Sequence, residues 1–291
     1  MNFAKLQGAG NDFVLLETDD TNRDWSVLAR DMCDRHFGIG ADGLLLLLPS
    51  GSADFAMRMF NPDGSEAEAC GNGLRCLVKY YASKADWKDG EKDRVLHIET
   101  GEGTRSAMVN RQDGESLDIR VGMGKPEFSA DRIPVVLEES SEVLDIKSML
   151  NYTVDIENLK LPLNLVSMGN PHAVYFTDEE VSAFPLHRVG PEVENHRIFP
   201  RRTNFEVARP TNRREIEARV WERGAGETLA CGTGACAIAV AARKQGLVDD
   251  TVKIMLPGGE LNVTWNGSSD IFLGGPAEIV FTGHWPDEAN Q

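Results

Sequence analysis

Glu66-Ala67-Glu68-Ala69-Cys70-Gly71-Asn72-Gly73 and Glu227-Thr228-Leu229-Ala230-Cys231-Gly232-Thr233-Gly234 are one motif written twice, 161 residues apart. Glu, Ala, Cys and both Gly fall in register. Each copy runs into a helix-like stretch, Leu74 to Tyr81 in the first and Ala235 to Ala242 in the second. Two shorter pairs recur near the same offset and in the same order: Gly10-Asn11 with Gly169-Asn170, and Gly101-Glu102 with Gly259-Glu260. Shared order at one spacing predicts two homologous halves.

The motif has chemical consequences of its own. The glycines permit close backbone approach. The first helical turn leaves N–H groups unpaired and places partial positive charge there. A cysteine at that point is expected to have its thiolate favoured and its pKa lowered, and the N–H groups can hold a carboxylate. Two such motifs facing each other supply what inversion of a stereocentre needs: a base on one face of the carbon, an acid on the other, and donors for the charge that develops. Two plainer readings compete. A single Cys beside Gly at a helix start is most often packing, but duplication weakens that reading. Zinc is disfavoured because Cys70/Cys76 and Cys231/Cys236 are spaced more widely than most structural pairs and point to different helix faces. Cys33, Cys76 and Cys236 are read as core.

The wider composition sets limits. A chain of 291 residues with 41% hydrophobic and 26% charged content suits two globular domains. The longest apolar run, Leu44 to Leu48, is strand-sized, so no transmembrane helix is expected. Met1-Asn2-Phe3-Ala4-Lys5 does not read as a signal peptide. A net charge of −16 argues against nucleic acid and membrane as partners. Five cysteines without an export signal point to the cytoplasm.

Short alternating or β-branched runs predict strands in Ile98 to Val109, Leu117 to Met123, Val166 to Phe176, Ile216 to Glu222, Val252 to Leu256, Leu261 to Trp265 and Ala277 to Thr282. Trp25 to His36 reads as an amphipathic helix capped by Asp24, and Glu138 to Leu150 as a weaker one. A boundary is expected after Gly124-Lys125-Pro126. It gives domains 1–126 and 127–276, with a last strand in about 277–291 returning to the first.

Other polar residues stay ambiguous on sequence alone. Asn61-Pro62-Asp63-Gly64 is a turn signature. His172 follows the turn-like Gly169-Asn170-Pro171 and opens an apolar run. Glu222-Arg223 stands between a strand and a glycine loop, where a charged pair is usually solvated; an Arg there also suits a carboxylate. Asn204 is unremarkable.

These blocks, with Gly8-Ala9-Gly10-Asn11-Asp12-Phe13, Gly40-Ala41-Asp42-Gly43 and the run from Asn61 through Cys76, resemble the diaminopimelate epimerase family in family order from the first residues to beyond 275. The resemblance implies an α/β fold of two pseudo-symmetric domains, each a mixed sheet curled around a central helix, with the active site in the cleft between them. It implies Cys70 and Cys231 as paired acid and base. Gly71, Asn72, Gly232 and Thr233 would offer N–H groups to the reacting carboxylate. Asn11, Asn61, Asn170, Asn204 and Arg223 would hold the substrate, the last four nearer its distal end. Glu222 and His172 would complete the shell and assist proton movement. Some members carry Gln where this chain has Gly43, so no contact is carried over there. The implied reaction interconverts LL- and meso-2,6-diaminoheptanedioate without cofactor or metal, for lysine and peptidoglycan synthesis. A two-thiol racemase of the proline or histidine type is the nearest rival; Arg223 and the asparagines favour a substrate with a second polar head. A non-catalytic binding module would be expected to lose one cysteine. The expected partner is a small-molecule substrate, with a homodimer left open.

Overall fold

The computed structural model describes residues 1–67, 70–87, 91–112, 116–136, 143–146, 149–157 and 159–286. It divides the chain into two compact units, Met1–Gly122 with Gly274–Gln291, and Met123–Leu273. Among the described residues no helix is long and apolar enough to cross a membrane.

The first unit runs β1 (Asn2–Gly8), β2 (Asn11–Glu17), α1 (Trp25–Cys33), β3 (Gly43–Leu48), β4 (Phe55–Phe60), β5 (Glu66–Ala67), α2 (Gly71–Lys84), β6 (Asp93–Thr100), β7 (Gly103–Arg111) and β8 (Leu117–Gly122). β1 and β2 form a hairpin, β2 lies parallel to β3, and β3 and β4 are antiparallel. β5 folds back on β4, β4 lies parallel to β6, and β6, β7 and β8 follow as a meander. The leucine run of β3 is unbroken because both faces of the sheet are covered. Leu44, Leu46 and Leu48 pack with Trp25, Leu28 and Met32 of α1. Leu45 turns the other way, toward α2 at Gly73.

The second unit runs β9 (Val143–Ile146), β10 (Met149–Ile156), β11 (Leu159–Ser167), β12 (Pro171–Phe176), α3 (Leu186–Glu194), β13 (Asn204–Asn212), β14 (Glu215–Glu222), β15 (Gly226–Thr228), α4 (Gly232–Gln245), β16 (Thr251–Leu256), β17 (Gly259–Thr264) and β18 (Phe272–Gly274). The pairings repeat those of the first unit: β11 antiparallel to β12, β12 parallel to β13, β13 antiparallel to β14, β15 folded on β14, β14 parallel to β16, and β16 antiparallel to β17. The register repeats as well. His172 stands opposite Asn204 where Phe13 stands opposite Gly43, and Val220 opposite Thr228 where Met59 stands opposite Ala67. The last strand, β19 (Glu278–His284), belongs to the first unit and pairs antiparallel with β1.

Each unit has one central and one outer helix. Every residue of α4 from Gly234 to Ala242 is buried, so the helix is apolar all round. It closes on Gly246, in the left-handed region at φ 81°, with the Leu247 N–H returning 2.9 Å to Ala242 O. The outer helix α3 covers Leu163, Phe205 and Val207.

Several local expectations change. α1 stops at Cys33 because Asp34 leaves the helix and its carboxylate takes the N–H groups of His36 and Phe37, both at 2.7 Å. The Ile98 to Val109 run is two strands joined through Gly101-Glu102. Where a helix was expected from Glu138 to Leu150, Val143–Ile146 and Met149–Ile156 are strands; residues 138–142 and 147–148 lie outside the described set. No helix is legible in the sequence over α3, because Gly190 and Pro191 interrupt its pattern.

Gly190 is required by contact. A Cβ there would stand 2.5 Å from Cδ2 of the Trp221 ring, and Trp221 is held by its Nε1 donating 2.8 Å to Glu194 Oε2. Gly190→Ala is therefore expected to destabilise the protein by about 1–3 kcal/mol, read as a lower urea midpoint. An unchanged midpoint would show that the ring moves freely.

Candidate active site

In the first unit, Cys70 is the extended N-cap of α2 and is half-buried. The first helical hydrogen bond runs from Leu74 N to Cys70 O at 2.8 Å. The N–H groups of Gly71, Asn72 and Gly73 thus precede any intrahelical acceptor. The Asn72 side chain is fully buried. Its Nδ2 donates 2.6 Å to Asn11 Oδ1, and its Oδ1 accepts 2.8 Å from Arg75 Nη2. Asn11 is oriented in turn by Asp42, whose Oδ2 accepts from Asn11 Nδ2 at 3.2 Å and from Asp12 N at 3.1 Å. Behind them Asp12 binds Lys5 at 2.6 Å and Arg35 at 2.7 Å. Burial alone would raise the Asp12 pKa, but the bonds to Arg35 and Lys5 outweigh it and hold the carboxylate at about 2.

Asn61 lies at the end of β4, with Nδ2 donating 2.9 Å to Ser65 Oγ across its turn. Gly43 has no room for a side chain without a shift: a Cβ would meet Met59 Cε and Phe60 O at 3.1 Å.

In the second unit, Cys231 is buried and caps α4, its Sγ accepting from Gly234 N at 3.4 Å. The Thr233 hydroxyl lies 3.5 Å from the same sulfur and receives Asn170 Nδ2 at 3.4 Å. Asn170 Oδ1 is 2.9 Å from His172 Nε2, and His172 Nδ1 is 2.6 Å from Glu206 Oε1. His172 and Glu206 have no exposed side-chain surface. Burial pushes the Glu206 pKa up. Glu222 accepts from the Thr228 hydroxyl at 2.5 Å. Asn204 binds backbone on both sides, donating 2.9 Å to Pro171 O and accepting 2.9 Å from Arg223 N. The Arg223 side chain is exposed, with one contact of 3.3 Å to Arg201 O.

The structure thus joins Asn11 to Asn72 in one unit, and Asn170, His172, Thr233 and Cys231 in the other. One expectation is corrected. The Cys231 pKa is not lowered but raised well above the ordinary thiol value: burial, and then the negative charge of Glu222, outweigh the bonds from Thr233 and Gly234 N. Arg75 and Glu206 went unassigned in the sequence. A carboxylate between Phe205 and Val207 on a strand was the available signal, since both neighbours are apolar.

The diaminopimelate epimerase family model matches residues 3–129 and 164–280. The chain belongs to the diaminopimelate epimerase family. Among curated family relatives, the diaminopimelate epimerase of Halothermothrix orenii is 45% identical over 287 residues, covering 97% of each chain. That of Carboxydothermus hydrogenoformans is 43% identical over 289 residues, covering 98% of this chain and 99% of its own. The family is one of isomerases, and its mixed α/β fold is the one observed. Among solved structures, a Bacillus anthracis phenazine biosynthesis protein of the PhzF family superposes with a TM-score of 0.68 at 17% identity, covering 97% of this chain and 98% of its own. A probable proline racemase from Agrobacterium radiobacter gives 0.68 at 16%, covering 99% and 94%. These two likenesses speak to the fold alone.

Cys76 and Cys33 are buried thiols outside the candidate site. Burial pushes Cys76 up to about 12 and Cys33 up to about 11. Reaction follows the thiolate, so iodoacetamide at pH 8 should leave both unmodified in the native protein while half-buried Cys70 is labelled. Peptide mapping that finds Cys76 modified as fast as Cys70 would refute this placement.

Proposed function

We propose that the chain interconverts LL- and meso-2,6-diaminoheptanedioate by two-base proton transfer between Cys70, Cys231 and one α-carbon. The observation that carries the reading is the same device built in both units: a cysteine capping a buried helix whose first N–H groups have no intrahelical acceptor. One thiolate removes the α-proton and the other thiol delivers a proton to the opposite face. The enolate-like dianion formed at the carboxylate meets the N–H groups of Gly71, Asn72, Gly232 and Thr233, where helix termini favour negative charge. The raised pKa of Cys231 supports its entering as the proton-bearing thiol. Asn11 orients the substrate near the first helix start. Asn61, Asn170, Asn204 and Arg223 take the distal end, with Asn204 holding the Arg223 backbone and the guanidinium left for a carboxylate. His172 and Glu222 act from behind. The chemistry needs no pyridoxal phosphate or metal and is placed in the cytoplasm, serving lysine and peptidoglycan precursors; a homodimer belongs to the same reading. Relatives named for diaminopimelate reach 45% identity, whereas the proline racemase stands at 16%, so the racemase rival is not favoured.

Incubation with LL-diaminopimelate in deuterated water should give the meso form with deuterium at the inverted α-carbon, unaffected by a chelator. Cys70→Ala and Cys231→Ala should each lose roughly a hundred- to ten-thousandfold in turnover, the range for removing one general acid or base. Wild-type turnover in either variant would sink the two-base mechanism.

Arg223→Lys keeps the charge but loses the planar fork. A charge-assisted bond is worth on the order of 1.5–3 kcal/mol, so KM should rise roughly ten- to a hundredfold. Kinetics identical to wild type would show that the guanidinium is only solvated.

A further inference from the structure

The two half-sites rest on different floors. Beneath α2, a Cβ on Gly73 would meet Leu45 Cδ2 at 3.2 Å and Phe13 Cζ at 3.6 Å. Beneath α4, a Cβ on Gly234 would meet Glu206 Oε1 at 3.1 Å and Cys231 Sγ at 3.4 Å. The register of the repeat sets Phe13 against His172, and the alternation along β3 and β13 sets Leu45 against Glu206. The second unit has therefore placed a buried His–Glu pair where the first has two apolar side chains.

That pair begins a line of contacts with a direction. Asn170 Oδ1 can only accept, so His172 Nε2 carries a hydrogen. A second proton then lies between His172 Nδ1 and Glu206 Oε1, 2.6 Å apart. Whichever atom holds it, the pair has no net charge, which is the state that full burial favours. Asn170 then has its NH2 group left for Thr233 Oγ1. With its oxygen accepting that bond, the Thr233 hydroxyl points its hydrogen at Cys231 Sγ. The opposite sense would turn the Asn170 amide around and point the hydroxyl hydrogen away from the sulfur. It would require Nε2 to be bare and a lone carboxylate charge to sit fully buried.

We propose that Glu206 is a positioning residue for Cys231: through His172 and Asn170 it turns the Thr233 hydroxyl hydrogen toward the sulfur. The effect is to stabilise the Cys231 thiolate on the occasions when this thiol must act as the base. It offsets part of what burial and Glu222 take away. Among the described residues of the second unit, the titratable groups acting on Cys231 are Glu222 on β14 and Glu206 on β13, with His172 on β12 behind Glu206. The inference rests on Cys231 being a reacting thiol, as in the proposed function.

The test is the rate at which iodoacetamide modifies Cys231 in the full-length protein, read by peptide mapping at the alkaline pH where this buried thiol begins to react. Glu206→Leu installs the residue type that the first unit carries at the matched position, and Glu206→Gln keeps a hydrogen-bond partner for His172. Losing one hydrogen bond of about 1 kcal/mol shifts the thiol upward by somewhat under one pH unit, so Glu206→Leu should slow modification about three- to tenfold at a fixed pH. Glu206→Gln keeps a partner for His172 but removes the carboxyl group that forbids the opposite sense, so it should also slow modification, by no more than Glu206→Leu. The sign decides between mechanisms. If Glu206 acted only as a nearby negative charge, both variants would speed modification; if it served packing alone, loosening would speed it or leave it unchanged. Either result overturns the proposal. A measurement on the wild-type protein stands apart from any folding failure: the 15N shift of His172 Nε2 should be that of a protonated nitrogen, and a bare, pyridine-type nitrogen overturns the proposal by itself. Neither readout uses substrate, so these results and those of the exchange assay can fail independently.

Discussion

A helix whose first turns are buried begins inside the protein, and its first N–H groups have no acceptor within the helix. That constraint governs both units. α2 and α4 are covered by sheet along most of their lengths, and each starts at a cysteine in extended conformation. In α4 the cap is the cysteine sulfur itself: Cys231 Sγ accepts from Gly234 N. The glycines follow from the same constraint. At Gly73 and Gly234 the helix lies so close to the sheet that a Cβ would press on Leu45 or on Glu206, so the motif is a packing requirement as much as a chemical one. An anion brought to these helix starts would meet N–H groups that have no acceptor within the helix.

The repeat supplies the same scaffold twice, and the differences between the copies show where chemistry was added. Position for position, Arg75 in α2 corresponds to Cys236 in α4, and Asn72 to Thr233. In the first unit the buried guanidinium of Arg75 reaches Asn72 and fixes its amide toward Asn11. In the second unit the fixing group comes from the sheet below, as Glu206 and His172, and acts on Asn170. Both solutions hold an asparagine beside a helix start. The first uses a buried cation and the second a buried neutral pair. A positive group beside the first thiol's helix and carboxyl groups beside the second make the two thiols chemically unequal before any substrate arrives.

What the sequence disclosed follows from which forces are local. The cysteine motif, the helices after it and the strand runs are written in neighbouring residues, so Cys70, Cys231 and the helices of Gly71–Lys84 and Gly232–Gln245 were legible. The resemblance to the epimerase family rested on the same blocks, and the family match agrees with it. Two kinds of feature were not legible. The first is structure that long-range packing imposes against local preference: α3 forms through Gly190 and Pro191, with Gly190 set directly against the Trp221 ring, and Val143–Ile146 pairs with a neighbouring strand where the local pattern reads as helix. The second is the partner of a polar residue. Nothing near Glu206 in sequence names His172, which is 34 residues away and becomes a neighbour only because β12 and β13 run parallel.

The thiol of Cys231 shows how local chemical reasoning can misjudge the direction of a shift. A helix N-terminus contributes typically 0.3–1 kcal/mol toward a nearby anion, which is less than one pKa unit. Burial of a charged group can move a pKa by several units. When both act on one atom, burial wins, and the direction of the shift reverses. The sequence displays the helix start but not how deeply the sulfur lies beneath it. The same competition assigns a purpose to the surrounding donors. In the proposed function this buried thiol must exist as a thiolate for part of the cycle and needs hydrogen bonds aimed at sulfur, which Gly234 N and the Thr233 hydroxyl are placed to give. The backbone donor is fixed by the helix. The hydroxyl is fixed only if something dictates its direction, and in this unit that information lies two side chains away, in a carboxyl group the solvent does not reach.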